Sequence, residues 1–68
     1  MKFNIYGRFR LEVIRENDSW VAYRVEPGKR AKMNDLVIPT TLAAEEISTY
    51  LDDRFHELSG PGQRIEML

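Results

Sequence analysis

From Phe3 to Val13, apolar side chains stand on odd positions (Phe3, Ile5, Phe9, Leu11, Val13). Asn4, Tyr6, Arg8, Arg10 and Glu12 stand on even ones. A period of two sends one set toward a core and the other toward water, so this stretch predicts a single strand with one wet face. Gly7 interrupts it and marks a bulge or bend. Glu16-Asn17-Asp18 reads as a hairpin loop of about three residues, because Asn and Asp tolerate the positive φ such loops need. Pairing Val13 with Val21, Leu11 with Tyr23 and Phe9 with Val25 then puts every apolar partner on one side. A one-residue slip sets Val13 against Ala22 and Leu11 against Arg24. It carries Arg24 to the core side and is disfavoured on that ground.

Pro27-Gly28 reads as a turn with proline second and glycine third. Lys29 to Lys32 is a basic loop or the start of the next strand, and Asp35 to Ile38 is a short apolar third strand. Between Thr40 and Leu58 the period changes. At 100° per residue Ala43, Ala44, Ile47, Tyr50, Leu51, Phe55 and Leu58 form one stripe, which predicts a helix laid on a core. Thr40 or Thr41 is placed to cap it, Gly60 to take a left-handed turn past its end, and Pro61 to block its continuation. Arg54 projects between the two faces, either as a stem on apolar surface or as a contact to a partner carboxylate. Gln63 to Leu68 alternates weakly and reads as a fourth strand. The order β-β-β-α-β predicts an α+β fold in one domain, 1–68. It is a three- to four-stranded, mainly antiparallel sheet with one helix on one face. A last strand running parallel to the first or third would need a right-handed crossover.

The preferred register has a consequence for function. It assigns Tyr6, Arg8, Arg10, Ile14, Trp20 and Arg24 to the face the helix does not cover. Tryptophan, tyrosine and arginine are enriched in interface hot spots, so these six are the candidate partner-binding residues. Three uses of that face stay open. It binds a protein partner. It binds single-stranded nucleic acid, with Trp20 and Tyr6 stacking on bases and Arg8, Arg10, Arg24, Lys29, Arg30 and Lys32 meeting phosphates. Or it is buried in a homodimer or tolerated by solvent.

Charge and composition narrow the choice. The net charge is −1, yet residues 1–32 hold eight cations against four anions, and residues 33–68 hold two against seven. A basic sheet beneath an acidic helix follows, and overall acidity weighs against strong non-specific nucleic-acid binding. With no cysteine there is no disulfide and no thiolate metal site, which points to a reducing, cytoplasmic setting. No apolar run reaches the ~20 residues of a membrane span, and the N-terminus has no apolar signal core. His56 is the single histidine. Asp52 stands four residues before it on one helix face, a two-ligand set short of a zinc site. Asp52 and Asp53 point about 100° apart and cannot readily share a proton. Gly60-Pro61-Gly62 lacks the lysine and following helix of a phosphate loop. The expectation is a non-enzymatic domain without cofactor or metal.

Ser19-Trp20-Val21-Ala22-Tyr23 puts an aromatic just past the hairpin turn. Then come Pro27-Gly28, a third strand, and the segment Thr40-Thr41-Leu42-Ala43-Ala44-Glu45-Glu46. Over residues 9–68 this succession resembles HicB-like antitoxin domains. That resemblance implies a partial ribonuclease-H-like fold of three antiparallel strands, a helix and a further strand. It implies binding of a small ribonuclease toxin without catalysis. The chain also looks like short bacterial proteins that consist of a single domain of unknown function.

Overall fold

The computed structural model describes residues 1–68. The alternating stretch is two strands, β1 (Lys2–Ile5) and β2 (Phe9–Glu16), because the chain reverses at Tyr6-Gly7. Tyr6 has φ 54° and Gly7 φ 73°, both left-handed, and the Arg8 N–H closes the turn on the Ile5 carbonyl at 2.9 Å. Glycine supplies this backbone without strain, and a tyrosine rarely does. Gly7 therefore marks a full hairpin where a bend was expected.

β3 (Ser19–Glu26) pairs with β2 in the register disfavoured above. Val13 faces Ala22, Leu11 faces Arg24 and Glu16 faces Ser19. The loop is two residues, Asn17 (φ 49°) and Asp18 (φ 64°). Two left-handed residues in a row suit the right-handed twist of the flanking strands, and turn chemistry here decides the register. The objection to the slip does not hold at Arg24. Its guanidinium lies 4.8 Å from the centre of the Phe9 ring, and its side chain stays half exposed. An arginine stem can cover apolar surface while its head remains wet. Glycine tolerates the second turn position better than aspartate. Asp18→Gly is therefore expected to stabilise the protein by about 0.5 kcal/mol in urea titration.

The turn at Pro27-Gly28 forms, with Gly28 at φ 75°. It leads into β4 (Lys29–Lys32), so the basic segment is a strand. The expected strand Asp35–Ile38 is not regular. Met33 N–H bonds the Ala22 carbonyl at 2.9 Å, the chain loops out, and Ile38 returns to a single bridge with Trp20. Leu36 and Ile38 are buried by this return, and Val37 is left exposed.

The helical segment begins later than expected, as a tight 3-10 turn Ala44–Glu46, then α1 (Ile47–Phe55), then a second 3-10 turn His56–Leu58. Neither Thr40 nor Thr41 caps it. The Glu46 carboxylate accepts the Ala43 N–H at 2.9 Å, which satisfies one free first-turn donor. Ile47, Leu51 and Phe55 are buried as the stripe requires, and Leu58 is exposed. Arg54 is exposed, its guanidinium 5.3 Å from the Phe55 ring centre. The left-handed glycine of the exit is Gly62 (φ 77°), with Pro61 before it. β5 (Ile65–Met67) then pairs antiparallel with β1.

The result is an α+β fold, a five-stranded antiparallel sheet of order β4-β3-β2-β1-β5 with one helix. It has more strands than expected because the first stretch folds back on itself. Since β5 runs antiparallel to β1, no parallel crossover arises. Phe3, Ile5, Leu11, Val13 and Ala22 on the sheet meet Ile47, Leu51 and Phe55 of α1 in one core, which Leu36 and Ile38 complete. Phe9 meets Phe55 edge-on, with centroids 5.6 Å apart.

Candidate interaction faces of the sheet

The register redistributes the six candidate residues. Trp20 faces the helix side with Leu11, Val13 and Ala22. Its indole N–H donates to the Leu42 carbonyl at 3.0 Å, and Arg15 lies 4.8 Å from its ring centre. It is a half-buried packing residue. Arg24 shares that side. Tyr6 is buried at the β1–β2 turn, and its hydroxyl donates to an Asp52 carboxylate oxygen. Arg8 lies in the turn, and its Nε–H donates to the Leu58 carbonyl at 2.7 Å. Only Arg10 and Ile14 stand on the uncovered face, so the recognition surface built on Trp20 and Tyr6 does not exist. The one-residue difference in register exchanges the two faces of β3 and so moves Trp20 and Arg24, while the turn at Tyr6-Gly7 takes Tyr6 and Arg8 out of the strand.

Tyr6 ties the turn to the helix. Burial, above all, pushes its phenol from 10.0 up to about 12, and the Asp52 hydrogen bond and the charges of Asp52 and Asp53 add to the rise. The unfolded chain ionises near 10.0 and the folded one near 12. The contribution of Tyr6 to stability is thus complete below pH 10 and is lost as pH climbs through 12. The melting temperature of the wild type is expected to fall more steeply across that window than that of Tyr6→Phe.

The uncovered face carries residues the alternation argument had turned inward: Val21, Tyr23 and Val25 of β3, beside Ile14 of β2. Ile14 and Val21 are direct partners. Tyr23 is held from two sides. Its hydroxyl donates to Glu16 at 3.2 Å, and the Arg30 guanidinium lies 4.3 Å from its ring centre and reaches Glu12 at 2.7 Å. Burial and the Glu16 contact raise the Tyr23 phenol, with Arg30 opposing. Lys2, Arg10 and Lys32 stand around this strip without an ion-pair partner. The two-residue Asn17-Asp18 turn was the sequence signal that could have located this strip.

The polar chemistry elsewhere is sparse. Asp52 and His56 line an open cleft of about 470 Å³ with Ser48, Ser59 and Arg64. The His56 Nδ1 lies 2.9 Å from the Asp53 carbonyl. No three His, Cys, Asp or Glu side chains group closely enough to hold a metal ion. No helix is long and apolar enough to cross a membrane.

These features define a small α+β domain with a half-covered sheet. Residues 1–67 match the family described as "Domain of unknown function (DUF7661)", and the chain belongs to that family. No curated protein and no solved structure matches it. The antitoxin-like pattern has three strands before its helix, whereas this chain has four.

Proposed function

We propose that the protein is a non-enzymatic protein-interaction module whose docking surface is the uncovered face of the sheet. One observation carries this reading: Ile14, Val21, Tyr23 and Val25, each half-buried, share the sheet face opposite α1, with the Arg30 guanidinium over the Tyr23 ring. Apolar strips rimmed by charge mark protein contact sites on small domains. The free cations Lys2, Arg10 and Lys32 suit a partner whose own apolar patch is edged by carboxylates. An antitoxin-like role, masking a small toxin, is one form such a partner could take.

The nucleic-acid reading loses its stacking platform. Trp20 and Tyr6 lie elsewhere, and Arg30 already covers the Tyr23 ring.

The test compares wild type with Ile14→Arg and Val21→Arg, each checked for native circular dichroism. A protein captured by wild type and released by both variants is the expected result. A partner held equally by both variants overturns the reading. So does saturating, salt-sensitive binding of single-stranded oligonucleotides that the variants leave intact.

A further inference from the structure

The two edges of the sheet are unlike. β4 ends one side with Lys29, Arg30 and Lys32, all exposed, and cations along an edge repel a second strand. β5 ends the other side with no such guard. Its last residue, Met67, and the following Leu68 are 58% and 59% exposed.

The backbone of β5 is set to receive a partner. Asn4 faces Glu66, and Leu68 N–H bonds the Lys2 carbonyl at 2.8 Å. Antiparallel pairing alternates the direction of backbone groups, so Glu66 and Leu68 point theirs at β1, and Ile65 and Met67 point theirs out of the sheet. The edge is not shielded on either side. The cleft bounded by Asp52 and His56 opens beside it on the helix side, and one of about 500 Å³ bounded by Asn4 and Glu66 opens on the other.

We propose that β5 pairs antiparallel with β5 of a second copy, centred on Ile65, to make one continuous sheet across two protomers. Three features select this occupant and register. Ile65 lies opposite itself and exchanges its outward N–H and C=O with its symmetry mate, as a two-fold contact requires. Arg64 falls opposite Glu66 of the second copy and Glu66 opposite Arg64; both are exposed, and neither has an ion-pair partner within the protomer. Met67 falls opposite Gln63 and donates to its carbonyl, while the Gln63 N–H stays on Gly60 at 3.0 Å. Centring on Glu66 instead would set two carboxylates face to face. Both helices then lie on one side of the joined sheet. The outer strips of the two copies lie together on the other, although the pairing does not depend on what those strips bind.

Sedimentation equilibrium up to about 1 mM protein tests this, since a short edge contact gives weak association. Wild type is expected to dimerise reversibly. Glu66→Arg and Arg64→Glu, each natively folded, are expected to weaken the dimer at least tenfold, and the double exchange is expected to restore it. A wild type that stays monomeric throughout overturns the proposal. So does a dimer indifferent to the single changes, or one the double exchange fails to recover.

Discussion

Replacing Leu51 by alanine is expected to lower the unfolding free energy by about 2–5 kcal/mol. Leu51 has no exposed surface and sits mid-helix between Ile47 and Phe55, the other buried residues of α1. The change removes apolar contact and leaves a cavity that a one-helix core closes poorly, because no second layer can move in. Domains hold roughly 0.05–0.15 kcal/mol per residue, so a chain of this length has about 3–10 kcal/mol in all. The loss is thus a large share of total stability. Urea titration should show a much lower midpoint at an unchanged slope. Asp53→Ala, on the exposed face of the same helix, should stay within about 0.5 kcal/mol of wild type. Equal midpoints for the two variants would mean that α1 does not dock through this stripe.

That stripe was legible because helix periodicity and burial have one solution here. Ile47, Leu51 and Phe55 recur at four-residue steps, and a single face satisfies them all. The ends were less legible. Thr40 and Thr41 are good caps by type, but the chain first uses 36–38 to return to β3 through the Trp20–Ile38 bridge. The Leu42 N–H then closes a turn on the Pro39 carbonyl at 3.2 Å. Arg15 and Trp20 of the sheet also donate to the Thr40 and Leu42 carbonyls, each at 3.0 Å, so tertiary contacts hold the residues that local preference assigned to the helix start.

The candidate site failed at β3 for a definable reason. Trp20, Val21, Ala22, Tyr23 and Val25 make that strand apolar on both faces, so burial scarcely separates the two registers. The deciding information lies in the two left-handed positions of Asn17-Asp18, whose turn fixes the register while Arg24 reaches water past Phe9. Tyr6 misled through the same alternation, which assumed a continuous strand across Gly7. Arg10 and Ile14 were placed on the open face in either register, because both belong to β2, whose facing does not change.

Ala22→Arg and Val21→Arg should separate the two registers by stability alone. Ala22 is 2% exposed, faces Val13 and belongs to the cluster that holds Leu36 and Ile38. An arginine there brings excess volume and a charge into a packed site without a partner carboxylate. A penalty of about 3 kcal/mol or more is expected. Arg24 escapes that penalty because its head reaches water past Phe9, a route closed to Ala22 beneath the returning segment. Val21 stands one position away on the open face, and its arginine can lie along the strip as Arg30 does. Circular dichroism melts should therefore show Ala22→Arg unfolded or melting far below wild type, with Val21→Arg close to it. The reverse order would return Val21 to the core and Trp20 to solvent, and the open apolar strip would vanish with it.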